Sequence, residues 1–139
     1  MTLYNSEILK LATSTANFAR LADAQASVEK RSPVCGSRVT VDVRLDPSGN
    51  INALGLEVRA CALGQASAAL MAANAQGRNA DELDQARDDL AAFLGCVRSD
   101  PGEWPGLAIL APAVPHRARH ASLLLAFDAV AEAARAAAH

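Results

Sequence analysis

The sequence predicts an α+β fold: a small antiparallel sheet, three strands or a single hairpin, packed against several helices. Three observations lead to it. Two neighbouring strings alternate apolar and polar residues, the period changes at Cys61 from that of a strand to that of a helix, and helical spacing then continues through most of the remaining chain.

The elements follow in order. Leu3, Ile8 and Leu9 lie on one side of a first helix, which fades into the more polar stretch from Asp23 to Ser32, with Pro33 closing the linker. From Arg38 onward Val39, Val41, Val43 and Leu45 share one face, while Arg38, Thr40, Asp42 and Arg44 share the other. Asp46-Pro47-Ser48-Gly49-Asn50 has the composition of a turn. Leu54, Leu56, Val58 and Ala60 resume the period of two, so the two runs form an antiparallel hairpin with one buried face. After Cys61, the spacing of Leu63, Ala66, Leu70, Met71 and Ala73 is helical until Gly77 supplies a stop. Asn79 followed by Glu82 predicts a capping box, and Leu83, Ala86, Leu90, Phe93 and Leu94 are the apolar stripe of the helix it opens, which Asp100-Pro101-Gly102 ends. A short apolar segment, Leu107 to Leu110, precedes Pro112 and Pro115. A last helix runs from Arg117 to Ala137, with Leu124, Phe127, Val130 and Ala134 on its core face.

Composition bounds the class. The 139 residues are 51% hydrophobic, enough to bury a core without disulfides in one domain spanning 1–139. Aromatics are only 4%, so the core is built from aliphatic side chains and close helix packing. A formal net charge of −2 excludes the concentrated basic surface that nucleic acid or an anionic membrane would require, and Arg117 with Arg119 makes only a local patch. Met1 to Ala12 mixes Asn5, Ser6, Glu7 and Lys10 into an amphipathic pattern unlike an export signal, and no apolar run is long enough to span a bilayer. The three cysteines, Cys35, Cys61 and Cys96, are too few and odd in number for a disulfide framework, which suits a reducing cytoplasm.

The chemistry centres on Cys61. The junction Ala60-Cys61-Ala62-Leu63 sets a thiol against the open N–H groups of a helix start, where the dipole favours thiolate, the form that ligates metal or accepts sulfur. Cys35, in Pro33-Val34-Cys35-Gly36-Ser37, lies at the entrance to the strand pair that delivers Cys61, so the two thiols can approach each other. Cys96, at a helix end in Leu94-Gly95-Cys96-Val97, reads as a packing residue. Other chemistry lacks its residues. Gly64-Gln65-Ala66-Ser67 is not a nucleophile elbow, no Gly-rich phosphate loop with lysine occurs, and Asp81-Glu82 and Asp88-Asp89 fall on a solvated helix face. A Cys–His hydrolase of Cys61 and His120 has no orienting third member.

The order of elements and three strings resemble the iron–sulfur cluster assembly scaffold family of the IscU and NifU N-terminal type, nearest its SufU-like branch. The strings are Leu3-Tyr4, Pro33-Val34-Cys35-Gly36, and Ala60-Cys61-Ala62-Leu63-Gly64-Gln65-Ala66-Ser67-Ala68, and the resemblance covers nearly the whole chain. It implies an IscU/SufE-like fold and a carrier that is not an enzyme. It also implies two partners, a cysteine desulfurase as sulfur source and recipient apo-proteins, with neither nucleic acid nor membrane involved.

The departures are specific. The family follows Cys-Gly with Asp, an exchangeable ligand, where this chain has Ser37. The family's third cysteine lies in Pro-x-Arg-x-Lys-Cys-Ala-Thr-Leu, which Pro115-His116-Arg117-Ala118-Arg119-His120-Ala121-Ser122-Leu123 resembles, with His120 in its place. A register two residues later, matching Asp128-Ala129-Val130, puts Ser122 there at the loss of the proline and basic residues, so His120 is preferred. The chaperone-docking string Leu-Pro-Pro-Val-Lys is absent. The implied ligand set is Cys35, Cys61 and His120, with Ser37 and His116 as secondary candidates and Cys35 or Cys61 as sulfur acceptor. Two thiolates and an imidazole suit a [2Fe–2S] cluster or Zn²⁺. The alternative is a diverged member that binds zinc, or no metal, and serves as an interaction or regulatory module.

Overall fold

The computed structural model describes residues 5–33 and 36–138. Helix α1 (Ser6–Thr13) starts at Asn5, whose side-chain oxygen accepts from the Ile8 amide at 2.9 Å, and it buries Ile8 and Ala12 one turn apart. Leu9 is exposed rather than buried, because the face is set by Ile8 and Ala12 and the next residue round points away. Leu3 and Tyr4 lie outside the described residues. A 3-10 turn (Ser14–Asn17) follows α1.

Three antiparallel strands in the order β1-β2-β3 form the sheet: β1 (Ala26–Arg31), β2 (Arg38–Leu45) and β3 (Ile51–Arg59). β1 occupies the stretch that reads as polar linker. An edge strand tolerates this composition: Val28 is the only large aliphatic residue in it, and the helix-facing Lys30 is paired at 2.8 Å with Glu132. The β2–β3 turn is closed by the Asp46 carboxylate, which accepts from the Ser48 and Asn50 amides.

The hairpin has two covered faces, not one. Val39, Val41 and Val43 are fully buried on the helix side, and Asp42, on the opposite side, is also 0% exposed. The segment around Arg20 lies over that second face. Asp42 accepts from Arg20 Nε at 2.7 Å and a second guanidinium nitrogen at 3.0 Å, from the Leu21 amide at 2.9 Å and from the Ser27 hydroxyl at 2.6 Å. Burial alone would raise its pKa, but Arg20, Ser27 and the Leu21 amide together hold the carboxyl below the ordinary carboxylate range. Gly55, cross-strand from Asp42, is what lets the strap settle: a Cβ there would lie 2.5 Å from the Leu21 nitrogen and 2.8 Å from an Asp42 oxygen.

Helices α2 (Ala62–Asn74), α3 (Ala80–Leu94) and α4 (His120–Ala137) complete the fold. α4 packs on β1 and β2 and is flanked by α2 and α3, which explains why it is buried on nearly every side and why Leu123 and Leu125 join Phe127, Val130 and Ala134 in the core, while Leu124 is only half-buried. The capping box of α3 is complete: the Glu82 amide donates to Asn79 at 2.9 Å and the Asn79 amide to Glu82 at 3.1 Å. Leu83, Ala86, Leu90, Phe93 and Leu94 are its buried residues. Leu107–Ala113 is a 3-10 helix burying Leu107 and Leu110, which its three-residue repeat stacks on one side. Trp104 donates its indole N–H to the Leu70 carbonyl at 2.9 Å and meets Phe127 edge-on at 5.3 Å, so one aromatic pair locks α2 to α4. No helix among the described residues is long and apolar enough to cross a membrane.

Candidate functional site

The strand β3 delivers Cys61 to the start of α2. Cys61 is the N-cap of that helix in extended conformation, its carbonyl accepts from the Gln65 amide at 2.9 Å, and its half-buried thiol is not in a disulfide. Gln65 also donates its side-chain N–H to the Ala60 carbonyl at 3.0 Å, which fastens the strand exit to the first helical turn. That turn contains no acidic residue.

Ser37 arrives at the same end. It immediately precedes Arg38, which pairs with Arg59, so the next step of the register brings Ser37 opposite Ala60, the neighbour of Cys61. Ser37 is 4% exposed, and its Oγ lies 3.1 Å from Oγ of Ser122, itself 1% exposed in the first turn of α4. Gly64 brings α2 onto the same spot: a Cβ at Gly64 would stand 3.6 Å from the Ser122 Cβ and only 2.8 Å from that of Ala60. Since Gly64 lies one turn beyond Cys61, the start of α2, Ser37 and Ser122 belong to one corner of the molecule. Ser67, a further turn along α2, donates to the Leu123 carbonyl at 2.5 Å and ties the two helix starts together.

His120 is held by the backbone through one ring nitrogen. Its Nε2 lies 2.9 Å from the Val114 carbonyl and 3.1 Å from the Ala113 carbonyl, so the ring closes the end of the Leu107–Ala113 helix against the start of α4. Two residues on a helix are about 200° apart, so a helix that turns Ser122 toward Ser37 and Gly64 turns His120 away from them. His116 is exposed at the entry to the Arg117–Arg119 turn. Cys35 lies outside the described residues. Among those described, no three His, Cys, Asp or Glu side chains gather as a metal-binding group.

Ser122, which the register matching Asp128-Ala129-Val130 puts in the third-cysteine position, is the side chain of α4 that meets Ser37. Cys96 is not a packing residue: it is exposed, with φ of +62°, because α3 has ended and the chain turns through a left-handed conformation before Val97, which is 81% exposed.

This geometry has close counterparts among known proteins. A family model described as the NifU-like N terminal domain matches residues 3–134. The crystal structure of a nitrogen-fixing NifU-like protein (N-terminal) from Brucella abortus is 39% identical and superposes with a TM-score of 0.90 over 98% of this chain and 94% of that one. A candidate iron–sulfur cluster assembly scaffold protein for the SUF system from Fervidobacterium islandicum shares the fold at 18% identity, with a TM-score of 0.86 over 95% of this chain and 96% of that one. No curated protein matched. The three-stranded antiparallel sheet, the cysteine at the start of α2 and the match over residues 3–134 agree, and the chain belongs to the family of NifU-like N-terminal domains.

Proposed function

We propose that this protein is an iron–sulfur cluster assembly scaffold, a carrier rather than an enzyme, on which Cys61 and Cys35 hold a nascent cluster and accept sulfur from a cysteine desulfurase before delivery to recipient apo-proteins. The observation that carries this reading is Cys61 at the start of α2. It is a half-buried thiol outside any disulfide, at a helix N-terminus with no acidic residue in its first turn. Thiols kept in this form suit a reducing cytoplasm. The third position falls to His120 or to Ser122, the α4 side chain that meets Ser37.

The reading is tested by anaerobic reconstitution with ferrous iron, cysteine and a cysteine desulfurase. Cluster absorbance and bound iron and sulfide are expected from the natural chain and to be lost in Cys61→Ser and Cys35→Ser, because a hydroxyl is a far weaker ligand than thiolate for a soft metal. Cys96→Ser is expected to load normally. A chain that binds only zinc, or nothing, would overturn the scaffold reading.

One observation favours a second reading, a zinc-binding or metal-free interaction module. The side chains meeting at Ser37 and Ser122 are neutral hydroxyls, where the resembling family has a carboxylate and a thiolate. Restoring them as Ser37→Asp with Ser122→Cys is expected to raise cluster yield if the module reading holds for the natural chain.

A further inference from the structure

Cys61 joins a strand to a helix, and one residue spans the join. The β2–β3 ladder ends with Arg38 opposite Arg59, so the Ala60 carbonyl lies beyond the last strand pair. It accepts from the Gln65 side-chain amide at 3.0 Å, and the next carbonyl along, that of Cys61, accepts from the Gln65 backbone amide at 2.9 Å. These two carbonyls belong to the planar peptide groups on either side of the Cys61 Cα. Holding both planes fixes the angles between them, φ of −64° and ψ of 169°, and with them the direction of the Cα–Cβ bond that carries the sulfur. A polar N-cap side chain would itself close the helix start. The Cys61 side chain makes no capping hydrogen bond, so the tie between strand and helix is made by Gln65 rather than by the sulfur.

We propose that Gln65 is a positioning residue for Cys61, holding the thiol in one direction for sulfur transfer from a persulfide carried on another protein. The proposal rests on the reading of Cys61 as a sulfur acceptor. In that transfer the Cys61 thiolate attacks the outer sulfur of the donor persulfide, a new sulfur–sulfur bond forms as the donor's breaks, and the donor leaves as thiolate while Cys61 keeps the terminal sulfur with its negative charge. The attacking sulfur has to approach in line with the bond that breaks, and a persulfide anchored on a protein cannot turn to meet a thiol that points elsewhere. A small donor free in solution can. Fixing the direction of Cys61 therefore acts selectively on the protein-borne donor. Glutamine suits the task, since its amide donates to the Ala60 carbonyl without setting a charge next to Cys61.

The test gives the full chain two sulfur donors anaerobically, a cysteine desulfurase carrying its persulfide and inorganic polysulfide. The added sulfur on Cys61 is followed by peptide mass mapping, and each variant is judged by the ratio of the two rates, in which changes in the exposure or reactivity of the thiol itself cancel. A merely structural role leaves that ratio alone. Gln65→Leu, similar in size but without an N–H donor, is expected to lower the ratio about fivefold to tenfold. Gln65→Glu keeps the length and, when ionised, cannot donate, so it is expected to lower the ratio as far, which covers the case of a leucine variant that folds poorly. Gln65→Lys returns an N–H donor within reach of the Ala60 carbonyl and is expected to bring the ratio back to within about twofold of the natural chain. A ratio unchanged in the leucine and glutamate variants, equal slowing with both donors included, would overturn the positioning role and leave the scaffold reading standing. A natural chain that takes no sulfur onto Cys61 from the desulfurase would overturn the sulfur-acceptor reading and the positioning role together.

Discussion

Asp42 and Ser37 are both buried polar side chains near one another along the chain, on opposite faces of the sheet, yet one is a carboxylate held by four hydrogen bonds and the other a hydroxyl facing a hydroxyl. The charge at Asp42 is tolerable because a guanidinium, an amide and a hydroxyl replace its water. It anchors a strap, and nothing needs to enter or leave. At Ser37 two neutral hydroxyls meet where α4 packs on the end of the sheet. The same sheet thus holds a charge where a guanidinium answers it and neutral hydroxyls where a helix start packs on it.

The largest expected effect falls on the architectural side. Asp42→Ala strands the Leu21 amide and the Ser27 hydroxyl and unpairs Arg20, and is expected to cost about 3–5 kcal/mol in urea unfolding. A loss below about 1 kcal/mol would mean the strap is held by other contacts. The second effect is on pH. With its folded pKa below the ordinary value of 3.8, Asp42 contributes stability that is fully present above that value and is lost as pH falls through the lower, folded value. Stability of the natural chain is therefore expected to fall more steeply than that of Asp42→Asn as pH drops below that value. Parallel curves would break the argument. The smallest effect belongs to the hydroxyl pair: Ser37→Ala and Ser122→Ala are each expected to cost about 1 kcal/mol, with a coupling of about 0.5 kcal/mol or more in the double-mutant cycle. A coupling near zero would separate the two serines.

Much of the fold was legible because local rules and tertiary packing agree there. Asn79 and Glu82 close a capping box that needs no distant partner, and the alternation from Val39 to Leu45 and from Leu54 to Val58 is the alternation of β2 and β3. β1 was illegible because an edge strand need not announce itself: its inward face includes Lys30, made acceptable only by Glu132, which lies far along the chain. The burial of Asp42 was illegible for the same reason, since period two says which face a residue is on but not whether a strap covers that face. The place of Cys61 at the start of α2 was readable from the change of period. The proline and basic residues beside it favour His120, while the side chain of α4 that meets Ser37 is Ser122, and two residues on a helix point about 200° apart. The position of Cys35 lies outside the described residues.

The deep burial of α4 has a consequence for the order of events during synthesis. Cys61 and α2 leave the ribosome well before Ser122 does, and until α4 docks, neither the core face of the sheet nor the corner at Ser37 is closed. The nascent chain therefore presents Cys61 before the corner at Ser37 is built. Only the finished fold brings Ser37 and Ser122 together, so a partner that recognises the completed corner can distinguish a finished chain from one still being made.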